Sequence, residues 1–163
     1  MAKTRAAWWL RYGAIAQVVQ ATAAVIGIGA IVLQVDEIRS NGRAASARQI
    51  YQAYLDLAFK EPALAAPDYE RIKAGSAETR NRYETFVSYF LYACEEALAV
   101  FDREREWKNA CEYDVKYHLP FLCEKNKSDP AFLKTYSEKT QSFVQDAMTR
   151  EGVASPECKL RKR

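Results

Sequence analysis

Residues 83–101 read YETFVSYFLYACEEALAVF, and their spacing decides the fold class. Tyr83, Phe86, Val87, Phe90, Leu91, Cys94, Ala97, Leu98 and Phe101 recur at steps of three and four, which places them on one face of a helix. Ser76, followed by Glu78 and Thr79, supplies an N-terminal cap. Working outward, Ile50, Tyr51, Tyr54, Leu57 and Ala58 mark an earlier helix over about 43–60. Asn41-Gly42 ahead of it is either a hinge or a tolerated weak point in one long helix, and Pro62 and Pro67 mark a loop extending to about Gly75. On the other side, Trp107, Cys111, Val115, His118 and Leu122 mark a helix over about 104–126. Pro120 inside it predicts a kink or break near His118, because proline removes one backbone donor and crowds the preceding turn. Asp129-Pro130, a cap followed by proline at the first helical position, predicts a last helix that carries Phe132, Leu133, Tyr136, Phe143, Val144 and Ala147 and stops at Gly152. No segment shows sustained alternation of the β type. The expectation is an all-α fold, with a bundle of about four helices over residues 36–152.

From Tyr12 to Val35 the chain carries no charge. As a helix these 24 residues rise roughly 36 Å, enough to cross a hydrocarbon core of about 30 Å with some tilt. Trp8, Trp9 and Tyr12 suit the headgroup level, so residues 1–11 read as a basic and aromatic interface segment and 12–35 as a transmembrane helix. The rival readings are a cleaved signal peptide, whose apolar core is normally shorter, and a soluble Ala-rich oligomerising helix. Gly13, Ala16, Gln20, Ala23, Gly27, Ala30 and Gln34 fall on one stripe of this helix. Small residues let membrane helices approach, and glutamine can hydrogen-bond across the contact, so self-association or pairing with another membrane helix is expected, with the lipid bilayer as the first partner.

The chain has 163 residues, 49% apolar and 28% charged, which suits one globular domain plus an anchor and excludes a disordered chain. Of the net charge of +3, Lys3, Arg5 and Arg11 contribute +3 and the tail over 153–163 another +3, so the remainder sums to −3. A nucleic-acid binder carries its basic face on the folded domain, and nucleic acid is therefore not an expected partner. Arg80, Arg82 and Tyr83 are the nearest approach to a stacking platform, and a solvated helix start explains them equally well. Arg39, Arg43 and Arg48 after the span balance Lys3, Arg5 and Arg11 before it, so the positive-inside rule gives a tie. The cysteines, Cys94, Cys111, Cys123 and Cys158, form no C-x-x-C pair; free thiols are the favoured reading, and with them a cytoplasmic domain.

Two groups are candidates for chemistry. Asp114 lies one turn before His118, the only histidine, at the spacing of a base and its orienting partner. The competing reading is a core histidine satisfied by a carboxylate, and with no nucleophile or oxyanion loop in view it is the preferred one. Glu95 and Glu96 could hold a metal, but no Glu-x-x-His motif accompanies them, and Glu95 is expected to pair with an Arg, Lys or Tyr of the next helix. Phosphate-binding loops, G-x-S-x-G and H-E-x-x-H are absent. No catalytic, metal or cofactor residue is assigned.

Phe59-Lys60-Glu61-Pro62-Ala63-Leu64-Ala65 and the aromatic helix bearing Glu95-Glu96-Ala97-Leu98-Ala99-Val100-Phe101, then Trp107, resemble uncharacterised small bacterial proteins with one N-terminal membrane helix and a helical domain of unknown function. The resemblance implies membrane anchorage and carries no catalytic residue. The expected function is a non-enzymatic, membrane-anchored interaction module. The alternatives are a membrane-active effector or toxin controlled by the helical domain, and an enzyme using Asp114, His118 and Glu95.

Overall fold

The computed structural model describes residues 2–151, with side chains from Gln20 onward except those of Ala21 and Ala24. All described secondary structure is helical: α1 (Ala2–Lys60), α2 (Pro62–Ala65), α3 (Tyr69–Ala74), α4 (Ala77–Val100), α5 (Arg105–Ser128), a 3₁₀ turn (Leu133–Thr135) and α6 (Glu138–Arg150). The chain divides into two compact units, 1–42 and 43–163. The all-α expectation therefore holds.

In the first unit the helix is unbroken through Asn41-Gly42, so these residues are not a hinge in the backbone. A glycine inside a helix costs only about 1 kcal/mol relative to alanine, too little to end so long a run. Val25, Ile26, Ile28, Ile31, Val32 and Leu33 are each 56–72% exposed. Among the described residues no helix is long and apolar enough to cross a membrane. The described residues therefore do not support the transmembrane helix expected over 12–35; the side chains of its first eight residues lie outside those described.

The second unit is built around α4. Its stripe is buried as the spacing predicts, and Ala93 joins it. Ser76 caps the helix, its Oγ accepting from the Thr79 N–H at 3.1 Å. Ala47, Tyr51 and Tyr54 from the end of α1, Cys111, Val115, Leu119 and Leu122 from α5, and Phe143, Val144, Ala147 and Met148 from α6 close around it. The loop predicted over 62–75 contains two short helices, α2 and α3; Asp68 caps the second by accepting from the Arg71 N–H.

The link from α4 to α5 is only residues 101–104. It is held by Phe101 N–H to Ala97 O at 2.8 Å and Glu104 N–H to Phe101 O at 3.0 Å. The Phe101 and Trp107 rings stack across it at 4.7 Å, and Tyr51 meets Trp107 edge-on at 5.2 Å. So tight a turn makes the helices antiparallel and sets their register. Cys94 lies seven residues before Phe101 and Cys111 seven after Glu104, so both sit about 10 Å from the turn. They form a disulfide, with Cα atoms 5.9 Å apart and both residues fully buried. Cys123 is disulfide-bonded as well. The expectation of free thiols is corrected: a pairing made between helices leaves no local motif to read.

Two further expectations change. Helix α5 continues through Pro120 without a break. The exposed proline is bracketed by buried His118, Leu119, Phe121 and Leu122, whose packing holds the helix on both sides of the missing donor. The last helix does not begin at Asp129-Pro130. There the Asp129 carboxylate accepts from the Ala131 N–H at 3.2 Å and makes a turn, Leu133 is buried on the 3₁₀ turn, and α6 starts only after Ser137, which caps it.

Closing a loop of this length with a disulfide stabilises a fold by about 3 kcal/mol in the chain-entropy account. Cys94→Ala with Cys111→Ala should therefore lower the unfolding free energy of the full-length chain in detergent by about 2–4 kcal/mol, read from denaturant titration. An unchanged midpoint would show that the bond contributes nothing to the folded state.

Candidate functional site

His118 is fully buried, enclosed by the rings of Tyr83, Phe86 and Phe90 at centroid distances of 5.8, 5.9 and 5.3 Å. Its Nδ1 shares a 2.9 Å hydrogen bond with the Tyr83 hydroxyl, while Nε2 has no hydrogen-bond partner. Burial pushes the imidazole down to about 4, because a charged ring has no compensating carboxylate there. The same burial raises the Tyr83 hydroxyl well above the ordinary tyrosine range.

Asp114 does not serve His118. Its Oδ2 accepts from the Tyr54 hydroxyl at 3.2 Å, and burial raises its carboxyl above the usual aspartate value. Tyr54 in turn packs on Phe86 and Phe90, so one aromatic layer touches both candidate residues while keeping them on different partners. A base must reach its substrate proton, and a histidine with no exposed surface cannot do so. The arrangement of a base with its orienting carboxylate is not formed by these two residues.

The Glu95 carboxylate accepts from the backbone N–H of Ser137 at 2.5 Å. It thereby fixes the start of α6 rather than pairing with a cation or a tyrosine as expected. Nearby, the Tyr136 hydroxyl donates to Ser88 O at 3.3 Å, and Lys139 donates to the Leu98 carbonyl and the Asp102 carboxylate at the end of α4. Glu96 is half-buried, and among the described residues no group of His, Cys, Asp and Glu could hold a metal. Arg80 donates to Gly75 O, Arg82 pairs with Glu61, and Tyr83 is buried, so these three form no stacking platform.

Two surface clefts lie among the described residues of the second unit. One, of about 240 Å³, has Tyr69, Tyr83 and Phe121 among its lining. Its cations are already engaged, Lys73 with Glu124 at 2.7 Å and Lys125 with Glu84 at 2.6 Å. The other, of about 430 Å³, lies between the end of α4, α5 and α6. There Glu112 accepts from Arg150 at 2.8 Å, which holds its carboxyl below the ordinary range, and Asp102 pairs with Lys139. Exposed ion pairs of this kind contribute about 0–1 kcal/mol each. Comparison with protein-family models, curated proteins and solved structures returned no match.

A histidine depressed by burial binds its proton more weakly in the folded chain than in the unfolded one. Its linkage therefore makes stability rise with pH between about 4 and 6.5, by at most about 1.4 kcal/mol per pH unit. Because the chain has one histidine, its imidazole NMR signal reads this directly: it should stay unshifted from pH 7 down to about 5. Titration with a midpoint near 6.5 would contradict the packing.

Proposed function

We propose that this chain is a non-catalytic α-helical module held at a lipid bilayer through residues 12–35 and acting through protein contacts. The observation that carries this reading is the uncharged run itself, together with the exposure of its described half. Val25, Ile26, Ile28, Ile31, Val32 and Leu33 stand around a helix with 56–72% of their surface open. Removing six such side chains from water is worth roughly 10 kcal/mol. A bilayer can cover every side of a helix at once, and the length of the run matches its hydrocarbon core.

Self-association through the anchor belongs to the same proposal. Gly27 has open space around the position of an added Cβ, so a second helix could approach there. The enclosure of His118 and the bond of Asp114 to Tyr54 are consistent with the non-catalytic part of the proposal.

Full-length chain expressed in bacteria should remain in the membrane pellet after alkaline carbonate extraction, and Gly27→Ile should remain there too while losing at least half of its cross-linked dimer. Release of the wild-type chain by carbonate would contradict the anchor, and an undiminished dimer in Gly27→Ile would contradict the stripe.

A further inference from the structure

Cys94 and Cys111 are joined inside the core, Cys123 is joined as well, and no described cysteine is free. Disulfides persist in oxidising compartments, whereas cytosolic glutathione and thioredoxin keep thiols reduced. The cytosolic exceptions are mostly catalytic or redox-sensing pairs, which need access to solvent. The Cys94–Cys111 bond has none, since both residues are fully buried between α4 and α5. It is a structural brace made while the helices close.

The charge rule leaves the orientation of the anchor open, because Lys3, Arg5 and Arg11 on one side are matched by Arg39, Arg43 and Arg48 on the other. The cysteines break that tie. We infer that the helical domain, residues 43–151, lies on the oxidising side of the membrane, leaving the basic N-terminal residues on the reducing side. The inference rests on the anchor reading for its membrane, and on the disulfides alone for its compartment. Each bond forms when two thiols give up two protons and two electrons; the electrons pass by thiol–disulfide exchange to a disulfide-carrying oxidant, which leaves as its dithiol.

The test is made on the full-length chain in a bacterium with a reducing cytoplasm. Cells are quenched in acid, denatured and treated with a maleimide–polyethylene glycol, with or without prior reduction. The chain has four cysteines, so the expected pattern is no adduct before reduction and four after it. Protease added to intact spheroplasts should remove the domain. Four adducts without reduction, with a domain that resists protease until the spheroplasts are lysed, would overturn the inference. Carbonate extraction of the same samples separates the two readings. Oxidised chain released by carbonate upholds the compartment and overturns the anchor. Reduced chain retained by the membrane overturns the compartment and upholds the anchor.

Discussion

The second unit depends on the register of one antiparallel pair, α4 against α5. Four residues between helices leave little freedom of crossing, and the stack of Phe101 on Trp107 closes what freedom remains. The cystine lies two turns beyond on each strand of the hairpin, and further along the same seam His118 enters the layer formed by Tyr83, Phe86 and Phe90. The end of α1 and helix α6 dock on this pair through contacts that presuppose its register. The end of α1 brings Tyr54 onto Phe86 and Phe90 while reaching Asp114; α6 is seated by Glu95 at its cap and by Lys139 at the end of α4.

His118 is held in this seam as a neutral ring. Neutral imidazole packs with aromatic rings and needs one hydrogen bond, which Tyr83 provides. An unmet nitrogen in the interior costs about 1–3 kcal/mol, less than burying the same ring with a charge. His118, Asp114 and Glu95 thus each bond a group within the second unit.

What was legible in the sequence is what is local. The α4 stripe and the Ser76 cap depend on residues three and four apart, and both stand as read. The start of α6 was misplaced because Asp129-Pro130 satisfies a helix-start rule while Ser137, eight residues on, satisfies it better through a real bond to the Thr140 N–H. Glu95 was read as awaiting a cation, but its partner is a backbone amide, which no side-chain pattern announces. The cystine had a signal that local reading passes over: equal spacing of Cys94 and Cys111 about the turn at 101–104. The continuity of α1 through Gly42 reflects a small glycine penalty set against long flanking helix.

We propose that lipid covers the apolar part of α1 while the domain holds itself together without it. Hydrogen exchange of the full-length chain in lipid nanodiscs, resolved by peptide, tests both halves in one measurement. Amides of residues 20–35 should exchange at least tenfold more slowly in nanodiscs than in a lipid-free, amphiphile-exchanged sample, with those of 83–98 and 111–122 equally protected in both. Rapid exchange of 20–35 in nanodiscs, or protection of 83–98 that appears only with lipid, would contradict it.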